Sequence, residues 1–316
     1  MSLDSLSVRV SAIEVVAPLI REFTLEAVDG ALPAFSPGSH VQVLMPGDGR
    51  EIRNAYSLCS DPRDSSRYRI AVRLQERSRG GSEFMHRRVR VGDLLRITPP
   101  ANLFSPVSLA RRHLLIAGGV GITPFMSYIT ELERLDAEYE LHYLYRSSQT
   151  GAYRDELKQR LGSRFKEYDS DSGVRCDLNT LLSGRGPGTH VYICGPKSLI
   201  EGVCSTAKAL GWPESLIHYE AFAAPQSGEP FQARLSKSGK VVDVKPDESL
   251  LEALEREGVA VPNLCRGGVC GQCVTRVING TVEHRDAYLS TGERAGGACI
   301  MPCVSRAAGK HLILDL

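Results

Sequence analysis

Cys265-Arg266-Gly267-Gly268-Val269-Cys270-Gly271-Gln272-Cys273 spaces three thiols as C-x4-C-x2-C on one short loop. A plant-type [2Fe–2S] cluster takes three thiolates at that spacing and a fourth from a distance. Bringing three sulfurs together from so few residues needs tight, partly left-handed backbone, for which Gly267, Gly268 and Gly271 are suited. Small residues also let backbone N–H groups reach the sulfurs and tune the potential. A zinc site usually draws on two separated C-x2-C-like pairs, and four unligated thiols are the remaining alternative. Cys299 and Cys303 are both candidates for the distant ligand.

Upstream of the loop, residues 231–235 and 240–244 read as a hairpin around Ser238-Gly239. A helix follows from about Ser249 to Glu257, closed by Gly258. Residues 223–230 have linker composition. Before the linker, apolar strands at 113–117, 140–145 and 190–194 alternate with helices at 124–135, 154–161 and 198–210, which implies a parallel sheet. The first hundred residues hold short runs at 8–10, 23–25, 40–44, 68–72 and 93–97. Turn clusters such as Asp29-Gly30, Pro37-Gly38, Pro46-Gly47-Asp48-Gly49 and Asp61-Pro62 separate them, a pattern that favours a small antiparallel barrel.

The chain has 316 residues, 42% hydrophobic and 24% charged, which excludes a largely disordered chain. Lys and Arg number 38 against 37 Asp and Glu, so a net charge of +1 gives no pull toward nucleic acid or anionic membrane. The most apolar run, 114–129, is crossed by Gly118, Gly119, Gly121 and Pro124, so no membrane span is expected. Met1-Ser2-Leu3-Asp4-Ser5 lacks a basic segment followed by an apolar core, and a cytoplasmic location is the expectation. Nine cysteines without an export signal suggest a metal site rather than disulfides.

Two further stretches stand out. Residues 50–90 hold eleven Arg, no Lys and five acids. That excess suits an anionic ligand gripped by planar guanidinium forks, or else a solvated basic face. Ala117-Gly118-Gly119-Val120-Gly121-Ile122-Thr123-Pro124 follows an apolar strand and opens a helix. It carries Gly-x-Gly, but Pro124 stands where a dinucleotide fingerprint would place its last glycine.

Over essentially its whole length the chain resembles the phthalate dioxygenase reductase family of flavin-dependent iron–sulfur reductases. That family runs FMN barrel, NADH domain, plant-type ferredoxin domain. The resemblance implies three modules: a flavin-binding antiparallel β-barrel at 1–106, a nucleotide-binding α/β parallel-sheet domain at 107–224, and a C-terminal α+β ferredoxin domain at 230–316. Cys303-Val304-Ser305-Arg306, close to the terminal residues 312–316, matches the family's last-ligand segment, so it implies Cys265, Cys270, Cys273 and Cys303 as ligands and Cys299 as a bystander. Residues 277–280 and His284-Arg285-Asp286 resemble the same module.

For the flavin, Arg53-Asn54-Ala55-Tyr56-Ser57 resembles the family's Arg-x-Tyr-Ser segment, with one extra residue between Arg53 and Tyr56. Ala71-Val72-Arg73 resembles the strand lining the ring by its backbone, and Gly80-Gly81-Ser82 the phosphate loop at a helix start. For NADH, Gly119, Val120, Gly121 and Thr123 match the Gly-Gly-x-Gly-Ile-Thr-Pro turn, and Cys194-Gly195-Pro196 the segment beside the nicotinamide. Arg146 is a candidate for ribose or phosphate. Phe222, in 218–222, resembles the aromatic that closes the domain against the flavin.

The implied function is electron transfer from NADH through FMN to the [2Fe–2S] cluster. The partner is an oxygenase component, expected to be a Rieske-type non-haem iron protein acting on an aromatic or small amine acid. Hydride delivers electrons in pairs and the cluster takes them singly; a flavin does both. The alternatives are a stand-alone flavin, ferric or cytochrome-type NADH reductase, and a non-enzymatic redox or metal-binding module.

Overall fold

The first strands alternate apolar and polar residues, and their apolar sides close on one another. The computed structural model describes residues 5–47, 51–76, 78–222 and 226–316. The first four residues, positions 48–49 of the expected turn cluster, and Ala223, Ala224 and Pro225 of the expected linker lie outside that set. Seven strands form the first sheet: β1 (Leu6–Ala17), β2 (Ile20–Ala27), β3 (Ser39–Pro46), β4 (Glu51–Ser57), β5 (Arg67–Arg73), β6 (Leu94–Ile97) and β7 (Ala101–Asn102). Their order is β4-β3-β6-β1-β2-β5, with β7 beside β3, and all pairings are antiparallel. An isolated bridge between Leu58 and Ile70, and the Cys59 N–H donated to the Arg69 carbonyl at 2.7 Å, join the two ends into a barrel. Val8, Val10, Phe23, Leu25, Val41, Val43, Met45 and Ile70 fill it. Helix α1 (Gly81–Arg87) follows β5.

The second sheet holds β8 (Arg112–Gly118), β9 (Glu138–Tyr145), β10 (Phe165–Asp169), β11 (Thr189–Gly195) and β12 (Ile217–Ala221), all parallel, in the order β10-β9-β8-β11-β12. Between them run α2 (Thr123–Arg134), α3 (Arg154–Leu161), α4 (Leu178–Leu182) and α5 (Lys197–Ala209). Sequence patterning points to the three central strands; β10 and β12 are additional. Both are edge strands with polar residues along them, so neither shows the continuous apolar run of a strand buried on both faces. One sheet face packs Leu115, Ala117, Tyr192 and Cys194 against α2 and against the barrel residues Ile20, Cys59, Ala71 and Phe104. The other packs Leu114, Ile116, Val191 and Ile193 against α4 and α5. Barrel and sheet therefore share one core.

The chain divides into two compact units, the first ending at Phe222. The second contains β13 (Phe231–Leu235), β14 (Val241–Val244), α6 (Leu250–Arg256), β15 (Thr275–Asn279), β16 (Val282–Glu283), α7 (Thr291–Gly296), β17 (Cys299–Ile300), β18 (Arg306–Ala307) and β19 (His311–Leu314). Its main sheet runs β14-β13-β19-β15-β17, with only β13 and β19 parallel, and β16 pairs β18 separately. Ser249 and Glu252 form a reciprocal capping box at the start of α6, and Gly258 takes a φ of 76° beyond its end. Leu250, Leu251 and Leu254 of α6 bury against Val242, Ile300 and Leu312, in a core that also contains Cys273 and Cys303.

Candidate functional site

The three-cysteine loop leaves α6 and enters β15. Left-handed backbone falls at Arg266 (φ 50°), Gly268 (75°) and Gly271 (77°). Gly267, expected in that conformation, is not among the positive-φ residues; its N–H instead meets the Cys265 sulfur at 3.3 Å. Arg266 tolerates the strain because its guanidinium grips both Glu255 oxygens at 2.7 Å and Asn263 at 3.2 Å, which anchors the loop to α6. Gly268 and Gly271 also need their missing Cβ. An added carbon would stand 2.5 Å from Val304 Cγ2 at the first and 2.3 Å from the Tyr288 ring at the second.

The thiols fall into two pairs. Cys273 and Cys303 are both 1% exposed, with sulfurs 3.3 Å apart. Cys265 pairs with Cys270. The Cys270 S–H, together with the Val269, Gly267 and Cys270 N–H groups, holds the Cys265 thiol down at about 5, against the opposing effect of burial. Cys273 is likewise lowered, chiefly by the Cys303 thiol. No group of three or more ligands suited to a single ion occurs among the described residues. Two thiolates per iron at two irons fits this donor set better than one tetrahedral zinc does. Cys299 lies apart in β17 opposite Arg276, and burial raises its thiol.

On the barrel, β4 runs against β3 in unbroken register, so its side chains alternate. Asn54 and Tyr56 share one face, with the Asn54 amide donating to the Tyr56 hydroxyl at 3.2 Å. Gly81 lies against them, since a Cβ there would stand 2.2 Å from Asn54 Nδ2. Arg53 points to the opposite face, where its Nε donates to Glu51 at 2.8 Å and Arg96 meets the same carboxylate. The residue that shares the face of Tyr56 is thus Asn54 rather than Arg53, as a one-residue offset in a strand requires. Burial pushes the Tyr56 hydroxyl up to about 12.

The glycine loop is shaped by Ser78, which sequence reading missed. Its hydroxyl accepts the Gly80 N–H at 3.1 Å and the Ser82 hydroxyl at 3.0 Å, while Ser82 accepts the Gln75 N–H at 3.2 Å. The Ser82 hydroxyl proton is therefore spent within the loop, and the donor Ser82 has left for an anionic ligand is its backbone N–H. Gly80 has a φ of 101°. Beyond Ile70 no strand pairs with the β4-facing edge of β5 among the described residues, leaving Ala71–Arg73 as that edge. The Val72 carbonyl is held by His86 at 2.7 Å. Buried Ser57 Oγ, Arg73 Nε and both ring nitrogens of His40, opposite Ser57 across β3, have no hydrogen-bond partner among the described residues. Unsatisfied buried polar atoms are costly, and a polar-edged ring ligand such as a flavin would answer them. His40 carried no sequence signal beyond its strand pattern; burial lowers it to about 4.

In the second sheet the chain order reverses between β8 and β11, and ligands of open α/β sheets bind outside the carboxyl ends of strands at such a point. Gly118 to Gly121 and Cys194 to Pro196 flank it. Added Cβ atoms would stand 2.6 Å from Pro196 Cδ at Gly118, 2.2 Å from the Cys194 carbonyl oxygen at Gly121, and 2.9 Å from the Gly118 Cα at Gly195. Gly119 and Val120 lie in a 3₁₀ turn, with Gly119 at φ 55° and open space beyond it. Thr123 Oγ1 donates back to the Val120 carbonyl at 2.9 Å, so it closes the turn. Burial pushes the Cys194 thiol well above the ordinary range, and Glu220 on β12 adds to this; the thiol is no nucleophile. Glu220 was missed in the sequence, although it stands two residues before Phe222. Exposed Arg146 follows β9 and Phe222, 46% exposed, follows β12, both at the same carboxyl edge.

A barrel with an unsatisfied polar rim, a parallel sheet with a glycine-lined switch point, and a paired-thiolate loop together fit one class: a pyridine-nucleotide-oxidising flavoprotein that carries its own [2Fe–2S] centre. Residues 233–308 match the 2Fe-2S iron-sulfur cluster binding domain, and residues 95–217 match the dimethylamine monooxygenase subunit DmmA-like N-terminal domain. The chain is 55% identical over 311 residues to the heme-dependent oxidative N-demethylase beta subunit of Ectopseudomonas mendocina, covering 98% of this chain and 99% of that one. It is 46% identical to the carnitine monooxygenase reductase subunit of Escherichia coli, covering 98% of each. Among solved structures, phthalate dioxygenase reductase superposes with a TM-score of 0.87 at 34% identity, over 99% of this chain and 98% of that one. The chain belongs to the phthalate dioxygenase reductase family, NADH-dependent reductase components of oxygenase systems that use FMN and a [2Fe–2S] cluster. No helix among the described residues is long and apolar enough to cross a membrane.

Proposed function

We propose that the oxygenase served by this chain oxidises a small amine at a carbon bound to nitrogen, with the three modules at 1–106, 107–224 and 230–316 dividing the electron path. The 55% identity to an N-demethylase subunit across 98% of the chain carries this reading, and the amine-monooxygenase match at 95–217 supports it. When bound, FMN and the cluster supply the exchange between electron pairs and single electrons.

The chain's own residues bind and orient. The Gly81 and Ser82 N–H groups, in a first helical turn without intrahelical acceptors, would hold the flavin phosphate. Asn54, Ala55, Tyr56 and Ser57, with the Ala71–Arg73 edge, would hold the ring. The Gly119–Gly121 turn and Thr123 would receive the pyrophosphate, with Arg146 at the ribose or phosphate. Cys194, Gly195, Pro196 and Phe222 would position the nicotinamide. Cys265 and Cys270 would ligate one iron, Cys273 and Cys303 the other. From Glu229 onward the chain carries eleven basic and eleven acidic side chains, so the partner docks without strong long-range steering.

Asn54→Ala should release flavin, read as a loss of bound FMN per chain on gel filtration. Arg53→Ala should retain clearly more, because Arg53 faces Glu51; equal loss in both variants would return Arg53 to the site. For the substrate, the chain is combined with NADH and either an N-demethylating or an O-demethylating oxygenase component. NADH oxidation matched one-to-one by amine loss and formaldehyde in the first mixture, and uncoupled in the second, is the expected result. Equal coupling in both removes the amine assignment. The resemblance points to a Rieske-type centre in the partner and the 55%-identical relative to haem; the absorption spectrum of the partner that accepts the electrons decides between them.

A further inference from the structure

We propose that Asp286 is a positioning residue of the iron–sulfur centre: it holds the three-cysteine loop and the Cys303 segment in one register, and its buried negative charge lowers the cluster's reduction potential. This rests on the ligand assignment above and goes beyond it.

Three chain segments meet at Asp286. Its side chain is fully buried. Oδ1 accepts the Ser305 hydroxyl at 3.0 Å, and Ser305, itself 0% exposed, is two residues from Cys303. Oδ2 accepts the Leu289 N–H at 2.9 Å. Its backbone lies against the cysteine loop: a Cβ on Gly268 would stand 3.1 Å from Asp286 Cα, and the next residue, Ala287, donates its N–H to the Gly268 carbonyl at 3.0 Å. The Gly268 N–H in turn serves the Cys303 sulfur. One residue thus ties the segment carrying Cys303 to the segment that braces Gly268.

The charge is maintained there. Burial opposes ionisation, but the Leu289 N–H, the Ser305 hydroxyl and Arg294 outweigh it and leave the carboxyl below its ordinary range. The charged or titratable groups around it are Arg294, whose guanidinium is 3.8 Å from Oδ2 and donates to the Asp286 carbonyl at 2.6 Å, His284, whose Nδ1 is 3.4 Å from Oδ1, and Glu293 and Cys299, whose ionisation its charge disfavours. Arg285 turns away to Glu283 and to the Gln226 and Ser227 carbonyls. An electron added to the cluster meets this fixed negative charge in a medium of low polarisability, where charge interactions are strong. Hydrogen bonding and exposure around the sulfurs are the levers that set such potentials.

The test uses full-length Asp286→Asn, which keeps size and some hydrogen bonding while deleting the charge. The expected result is wild-type iron, acid-labile sulfide and flavin, with the cluster's midpoint raised. The one-electron reduction equilibrium should shift by about tenfold or more, which is 59 mV. A merely structural role would lower the melting temperature and leave the midpoint in place, so an unchanged midpoint in a cluster-loaded variant overturns the proposal. If Asp286→Asn loses iron, Ser305→Ala decides, since it keeps the Asp286 charge while deleting two hydrogen bonds, the one Ser305 donates to Asp286 Oδ1 and the one it accepts from the Arg285 N–H. Faster iron release to a chelator than in the wild type supports the positioning role; release at the wild-type rate overturns it. Wild-type protein without iron and sulfide after anaerobic reconstitution would instead overturn the ligand assignment itself.

Discussion

Cys303→Ser should abolish NADH-driven reduction of a one-electron acceptor such as cytochrome c while NADH still bleaches the flavin. Cys303 is 1% exposed and its sulfur lies 3.3 Å from that of Cys273, so the substitution removes half of one proposed thiolate pair. A serine hydroxyl is a hard, weakly acidic replacement for a soft thiolate. The fall in acceptor reduction should exceed about a hundredfold, beyond the 10–100-fold typical of losing a ligand's outer partner. The flavin half-reaction should stay within about twofold, because barrel and parallel sheet belong to the other compact unit. Stopped-flow absorbance separates the two steps. Equal loss of both would break the assigned order of electron flow, and undiminished cytochrome reduction would favour a reductase that bypasses the cluster.

Gly121→Ala should nearly eliminate reduction of the flavin by NADH. The new methyl carbon would stand 2.2 Å from the Cys194 carbonyl oxygen, 2.5 Å from its carbonyl carbon and 2.8 Å from the Gly195 nitrogen. All three are backbone atoms at the end of a central strand, so no side chain can rotate away. The ends of β8 and β11 must move apart, which takes the Gly119–Gly121 turn and the Cys194–Pro196 segment out of register. Overpacking a well-filled site costs about 1–3 kcal/mol or more, seen as a lower melting temperature for the first unit. Displacing a bound reactant by about 1 Å can cost roughly a hundredfold in rate. Dithionite should still reduce flavin and cluster fully, and FMN and iron contents should match the wild type. Wild-type NADH kinetics with a wild-type melting temperature would show that the close approach is not required.

Much of the site can be read from local sequence because its chemistry is carried by short loops. The C-x4-C-x2-C spacing, the glycine turn after an apolar strand and the capping residues of α6 depend on residues a few positions apart. Other features depend on partners far away in the chain. Which face of β4 a side chain occupies follows from registry with β3, and one extra residue moved Arg53 to the side of Glu51 and Arg96 while Asn54 joined Tyr56. The left-handed conformation expected at Gly267 falls on Arg266, which Glu255 and Asn263 hold in place. Ser78 and His40 matter through contacts that no motif encodes.

By itself the sequence determined the three-part order, the iron–sulfur loop and the glycine turn that follows β8, since covalent spacing, glycine content and apolar periodicity act over one to three turns of chain. Only the tertiary structure set Cys303 beside Cys273 and left Cys299 apart in β17, added β10 and β12 to the parallel sheet, and gathered Asp286, Ser305 and Gly268 at one point. These depend on which surfaces bury together, and burial is a property of the folded whole rather than of any segment.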